Sequence, residues 1–468
     1  MEQQPKRDMQ SSNPRRRTRS KIQNFKEAYL PFLIFIAGVA LIIGIVVGIV
    51  SCTRDPGPST DPSGDTNMEL LRQEATALLE DAQQLAMAYD FDGALSILSS
   101  FSGNISDFPE LKKAMDEYTI TKHSMVPWKA SQVPNLSFHV LIAELTSALK
   151  DPTYGDIEGG TKQYNRNFVT IGEFTSILKR LYDNGYVLVN FSDLFSYEYS
   201  ADVDAYVYTE KELLLPQGKK PFLLTETHCN YYTYMVDIDR DGTPDPNGAG
   251  FANKLRWDNG FYNEMVATDG STVTGALDLV PILENFISLH PDFSYRGARA
   301  ILALSGYDGI FGYRITSDNL SNQELEQERS EAAALVTALK DAGYTIACYT
   351  YENISYGAKS AARVEEDILD WQEKIAPVVG ETDILVFAQE SDIGTSYDNN
   401  EKFDILYENG YRYFLGSSPF LSCEVEKDYV RHTRLMVTGS NLYYHPEYFS
   451  QIFNINNLLD LRRNNIPQ

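Results

Sequence analysis

Lys219-Lys220-Pro221-Phe222-Leu223-Leu224-Thr225-Glu226-Thr227-His228-Cys229-Asn230-Tyr231-Tyr232 reads as an apolar strand, Pro221–Thr225, that runs out into polar side chains. Similar apolar runs recur at Tyr186–Phe191, Ala300–Leu304, Thr345–Tyr349, Asp383–Phe387 and Tyr411–Leu415. Between them lie helical patterns at Ile171–Asp183, Leu277–Leu289, Ser321–Ala342 and Ala361–Ile375, the last with acids in its first half and Lys374 late. Strand and helix alternating in this way imply an α/β fold with a parallel sheet or barrel, whose site lies at the carboxyl ends of the strands. Thr227 and His228 fall at one such end, and Tyr349-Thr350-Tyr351-Glu352-Asn353 at another.

The first stretch resembles the opening motif of the polysaccharide deacetylase family (carbohydrate esterase family 4, the NodB-homology domain). There an apolar strand after Lys-Pro enters Thr/Ser-Phe-Asp-Asp at the mouth of a distorted (β/α) barrel. The resemblance implies a general base at the first aspartate, and a metal held by the second aspartate and two histidines of a His-Thr/Ser-x-x-His motif. Such a metal acidifies a water and polarises the acetamide carbonyl. Here Thr227 stands at the base position and His228 at the metal-binding aspartate, while Tyr349 and Asn353 replace the two histidines. A threonine hydroxyl takes no proton near neutral pH, and His228 alone is a credible ligand of a zinc that needs about three.

The resemblance extends from about Val133 to the C-terminus. Val133-Pro134-Asn135-Leu136-Ser137-Phe138-His139 is similar to the family's opening strand, and Phe168–Phe174 through Val189 to its first helix and next strand. His290–Arg299 and Gly306–Arg314 resemble blocks of a membrane-anchored branch. Glu390 takes a glycine place, and Thr438, in Arg434–Gly439, another acid's place.

Read without the family, His228 is equally a hydrogen-bonded histidine in a polar cleft. Cys229 and Cys348 lie one step along their strands from the residues expected to face the cleft, so both should point away from it. Downstream, Asp237, Asp239, Asp241, Thr243 and Asp245 have the spacing of an EF-hand-type calcium loop, with Gly242 for the turn and Gly248 where the bidentate glutamate would be. A calcium site and a solvated acidic turn remain alternatives. Tyr231, Tyr313, Arg314 and His139 are candidates for sugar contact, since aromatic faces with polar handles suit sugar rings.

Ala28–Ser51 carries no charge and is long enough, roughly 36 Å as a helix, to span a bilayer. Eight lysines and arginines precede it, against Glu2, Asp8 and Glu27, which places the N-terminal tail (residues 1–27) in the cytoplasm and the rest outside. Removing that surplus of five positive charges from the formal −25 leaves −30 on the remainder, which disfavours nucleic acid as a partner. Ile49-Val50-Ser51-Cys52 also resembles a lipobox that would lipidate Cys52; an uncleaved anchor is the preferred reading. Residues 52–67 read as a Pro/Gly/Ser linker. Residues 68–122 read as a helical hairpin like a tetratricopeptide unit, a surface for packing or for a protein partner, ahead of a deacetylase-like domain at 123–468. Four cysteines are too few for a disulfide scaffold.

The expectation is a single-pass, extracytoplasmic deacetylase-like barrel with substituted catalytic positions, which binds a cell-envelope, peptidoglycan-like polysaccharide. Its alternatives are a metal-dependent deacetylase using zinc or a similar ion, and an envelope scaffold that docks proteins through the hairpin.

Overall fold

In the computed structural model, eight parallel strands follow one another in chain order: β1 (Asn135–His139), β2 (Tyr186–Leu188), β3 (Lys220–Thr227), β4 (Ile301–Leu304), β5 (Thr345–Cys348), β6 (Ile384–Val386), β7 (Tyr413–Ser417) and β8 (Val430–Met436). The structure describes residues 62–463 and 466–467, with side chains from residue 67, so the tail, Ala28–Ser51 and most of the linker lie outside the described residues. Residues 71–468 form one unit; of the preceding unit, residues 1–70, the structure describes the start of one helix.

Seven strands close a ring in the order β1-β3-β4-β5-β6-β7-β8 and back to β1. β3 is the longest of the eight, and its edge is shared. Lys220–Phe222 pair with β2, and Thr225–Thr227 pair with β4. β2 is therefore wedged at the start of the barrel and does not reach its carboxyl end, which makes the ring a distorted (β/α) barrel. Among the described residues no helix is long and apolar enough to cross a membrane.

Helices α1 (Pro62–Met87), α2 (Phe91–Ser99) and α3 (Pro109–His123) precede the barrel. α4 (Ile171–Asp183), α5 (Leu279–Leu289), α6 (Asn322–Asp341), α7 (Ala361–Lys374) and α8 (Glu401–Glu408) alternate with its strands. The helix boundaries follow local chemistry: Thr170 with Glu173, and Ser321 with Glu324, form reciprocal capping boxes at the starts of α4 and α6. Strand ends are shorter than the apolar runs suggest. Asn190 caps a single helical turn at Phe191–Leu194, and Thr350 (φ 63°) turns the chain out of β5.

Alternation along the strands gives two apolar layers. Outward residues such as Leu136, Phe138, Leu224, Leu302 and Leu385 pack under the helices; Phe138 meets Phe174 of α4 edge-on at 5.0 Å. Inward residues, including Leu223, Ile301, Ala303, Ala347, Val386 and Leu415, fill the barrel. Cys229 and Cys348 belong to the outer layer, as strand alternation requires.

The helical hairpin packs on the amino-terminal end of the barrel. Tyr89 and Phe91, at the α1–α2 turn, bury against Val187 and Leu215. The Tyr89 hydroxyl donates to the Asp292 carbonyl at 2.6 Å, and Arg296 pairs with Asp90 at 3.1 Å. One such unit cannot close a core by itself, and here the barrel supplies the missing apolar surface.

The C-terminal segment is pinned by Arg463, whose guanidinium bonds both oxygens of Glu173 at 2.7 and 2.8 Å, each side chain 1% exposed. It also donates to the Phe168 carbonyl at 2.8 Å. Replacing Arg463 by methionine leaves Glu173 buried without its counter-charge, and is expected to lower unfolding free energy by about 3–5 kcal/mol in urea titration.

Candidate functional site

At the carboxyl end of the barrel, Thr227 is the last residue of β3 and points inward, fully buried. Its hydroxyl lies 2.7 Å from Nδ1 of His139, which ends the neighbouring β1 in direct register. The next residue, His228, adopts φ 62°, a left-handed turn that swings its ring over the mouth. The His139 and His228 rings meet edge-on with centroids 4.6 Å apart, and Nδ1 of His228 lies 3.1 Å from the Tyr232 hydroxyl. Phe168 backs His139 at 5.1 Å, and Tyr349 closes against His228 at 5.2 Å. Left-handed backbone recurs around this rim, at Thr350, Asn353, Gln389 and Glu390. Glu390 thus does hold a glycine-like conformation.

Beneath these rings lies a residue whose role the sequence reading did not identify. Arg434, on β8, is 1% exposed, and its guanidinium reaches across the barrel interior. It donates to Ser137 Oγ at 3.0 Å, to the Phe387 carbonyl at 3.1 Å and to the Leu415 carbonyl at 3.4 Å. No carboxylate lies within ion-pair distance of it among the described residues; its hydrogen bonds go to neutral groups, and the Glu390 carboxylate favours its charge from farther away. The small inward side chains Ala303, Ala347 and Ala388 leave the interior volume that Arg434 and Tyr349 occupy.

The electrostatics follow from this arrangement. Burial lowers the His139 pKa well below its ordinary value, aided by His228 and Arg434. Burial and the Arg434 charge push His228 down to about 4. Burial raises the Tyr349 phenol. His139, His228 and Tyr349 are therefore neutral at pH 7 above one guanidinium, whose charge the Glu390 carboxylate on the rim favours.

This donor set does not fit the family's metal. Within the mouth itself His139 and His228 are the ligand types, Glu390 standing exposed on the rim, and a divalent cation would sit near a buried positive charge in a low-dielectric interior. Asn353 is on the rim, its Oδ1 buried without a hydrogen-bond partner. Thr438 caps the short helix Gly439–Tyr444, which accounts for a threonine there. Glu226, the nearest acid to the mouth in sequence, alternates to the outer face of β3. There, 1% exposed beside Asp278, burial pushes its carboxyl well above the usual range. It cannot act on anything bound at the mouth.

Two proposed sugar contacts, Tyr231 and Tyr313, are buried in the wall, whereas Arg314 is partly exposed and lines the groove beside the mouth. Tyr231 is 2% exposed and donates to Asp278. Tyr313 is 3% exposed, with Lys254 over its ring at 4.0 Å. Arg314 donates to the carbonyls of Asp308 and Tyr231 at 2.6 and 2.7 Å. His139 keeps a partly exposed position at the rim. The open surface lies beside the mouth, in a groove of about 560 Å³ after β4 and β5, lined by Tyr307, Asp308, Thr316, Asp318, Asn319 and Tyr351. Gly306 floors it; a Cβ there would lie 1.9 Å from the Tyr351 ring. Tyr307 is 53% exposed and leans on Tyr232 at 5.7 Å, which links the groove to His228.

In the acidic loop, carboxylate oxygens of Asp237, Asp239 and Asp245 lie within 4.8 Å of one another. Asp241 is not in this group: its Oδ1 accepts from the Thr243 N–H at 2.8 Å.

No family profile and no curated protein matches the chain. A search of solved structures finds likeness to Streptococcus pyogenes deacetylase PplD in complex with acetate, at 12% identity and a TM-score of 0.34, covering 70% of this chain and 100% of that one. A likeness that low carries no weight for function; the barrel rests on its own strand order.

Neutral buried histidines fix the sign of a pH effect. The folded pKa lies below the unfolded value of about 6.5, so the unfolded state binds more protons and stability falls as pH drops from about 6.5 toward the folded pKa, about 4 for His228. Thermal melts at pH 7 and pH 5 are expected to show a lower Tm at pH 5, and His139→Gln with His228→Gln should reduce that difference, leaving the share of His432, which burial also lowers to about 4.

Proposed function

We propose that this chain is a deacetylase-like barrel that binds a cell-envelope polysaccharide and does not hydrolyse it. The observation that carries this reading is the mouth itself, where Thr227 is hydrogen-bonded to His139 and buried Arg434 lies below the rings. A base is missing at Thr227, and a cation is opposed by Arg434. The polar groove beside the mouth, with Tyr307 presenting a ring face among hydroxyl, amide and carboxylate groups, suits a sugar ring's apolar face and polar edge.

The proposal includes membrane anchorage through Ala28–Ser51, with the barrel extracytoplasmic. It also includes calcium at Asp237, Asp239 and Asp245, a set of oxygen ligands of the kind calcium takes, in the role of stiffening the loop after β3. Protein docking through the hairpin has less support, because Tyr89 and Phe91 are taken up by the barrel.

The test pairs turnover with binding. Full-length protein given an acetylated amino-sugar oligomer with zinc or cobalt should release no acetate above the protein-free rate, yet should sediment with purified cell-wall glycan. Tyr307→Ala is expected to weaken that retention. Acetate release lost in His228→Ala would overturn the reading.

Calcium is checked separately by thermal shift. Millimolar calcium should raise Tm in the wild type and have no effect on Asp237→Asn with Asp239→Asn; equal shifts in both would remove the ion from the account.

A further inference from the structure

Between β2 and β3 the chain forms a two-stranded antiparallel ribbon, Phe195–Ser200 with Ala205–Glu210. Tyrosine occurs at alternate positions on both strands, so their rings share one face, and the register sets Tyr197 opposite Tyr208 and Tyr199 opposite Tyr206. The rings form a continuous file. From Tyr199 to Tyr206, Tyr197, Tyr208 and finally Tyr413, successive centroids are 5.7, 5.6, 4.7 and 5.3 Å apart. The inner end is anchored: Tyr208 is 9% exposed and Tyr413 opens β7, which places the ribbon at the amino-terminal end of the barrel, away from the mouth. The outer three rings, Tyr197, Tyr199 and Tyr206, are 54%, 55% and 57% exposed.

Cross-strand aromatic pairs stabilise a ribbon modestly, and β-branched pairs do so as well. That stabilisation gives no reason for three large rings in a row to face water. A contiguous exposed aromatic surface marks a binding face. Tyrosine rings stack on the apolar C–H faces of sugars while their hydroxyls reach the polar edges. The spacing of the file is close to the length of one pyranose ring, so successive sugars of a chain could meet successive tyrosines.

Charge selects among polysaccharides. Asp202 and Asp204 lie in the turn at the outer end of the tyrosine face, where Tyr199 donates to Asp204, while Glu198 alternates to the opposite face. The bases near the ribbon lie toward its inner end: Lys427 accepts from the Tyr208 N–H through its carbonyl at 3.1 Å, Arg412 acts on the Tyr208 phenol, and Lys211 is turned to the Ser192 carbonyl at 2.8 Å. With −25 on the whole chain, polyanions and anionic lipid are repelled. A sugar bearing an ammonium group gains twice, from the carboxylates and from cation–π contact with tyrosine.

We propose that the tyrosine ribbon is a docking platform for a polysaccharide of amino sugars with free amines. This rests on the polysaccharide-binding reading above and locates a second contact surface outside the mouth.

The experiment titrates full-length protein with a glucosamine hexamer and, separately, an N-acetylglucosamine hexamer, by calorimetry. The free-amine hexamer is expected to bind more tightly, with affinity falling as salt rises. Tyr197→Ala with Tyr206→Ala should weaken it by about tenfold, while Tyr197→Phe with Tyr206→Phe retains it and Tm confirms that each variant folds. Asp202→Asn with Asp204→Asn should reduce the salt dependence. Unchanged binding in the alanine pair overturns the ribbon assignment, and equal binding of the two hexamers overturns the amine preference. Loss of binding in Tyr307→Ala alone would move the sugar to the mouth-side groove and overturn this inference while leaving the general reading intact. Failure of the wild type to bind either hexamer, with cell-wall glycan still retained, overturns the inference alone; failure of both overturns the general reading as well.

Discussion

A guanidinium buried inside the barrel, held by a serine hydroxyl and two backbone carbonyls, governs what the mouth can do. Arg434 must remain charged, because no protein environment removes the proton from an arginine at neutral pH, and burial without a carboxylate is costly. The surrounding structure is built to tolerate it: alanines line the inner layer, three oxygens converge on its nitrogens, and the two histidines above it are held neutral. A metal and a carboxylate base belong to a different electrostatic arrangement, in which acids lie where Thr227 and His228 stand.

The barrel does not rely on the polar residues at its mouth, because its stability comes from elsewhere. Its outer layer is carried by helices whose apolar stripes meet alternate strand residues, and its inner layer by small and branched side chains. Neither depends on the rim. What the rim retains is shape: left-handed residues at His228, Thr350, Asn353, Gln389 and Glu390 still turn the chain sharply at the strand ends. Shape without acid–base chemistry is consistent with recognition rather than turnover.

Much of the fold was legible in the sequence because periodicity and capping are local. Helix α4 spans the expected Ile171–Asp183, and Ser321 and Ala342 bound α6 as its caps. The expectation that Cys229 and Cys348 face away from the cleft also follows from alternation alone. The site was less legible because it depends on which strands become neighbours. Nothing local shows that Arg434 of the last strand lies under His139 of the first; that requires the β8–β1 pairing, which closes the ring. Tyr231 and Tyr313 are buried for the same reason, since burial is a tertiary property. The tyrosine ribbon, by contrast, carried a local signal in its alternating tyrosines on either side of Ala201–Asp204, which apolar periodicity passes over because tyrosine counts as neither fully apolar nor polar.

The claim that the mouth sets neutral histidines over a buried cation, with no place for a catalytic metal, is tested most directly by zinc titration of the full-length protein at pH 7.5. The comparison sets the wild type beside His139→Ala and His228→Ala. The account predicts no zinc binding that depends on either histidine. Stoichiometric, tight zinc binding that disappears in either variant would contradict it.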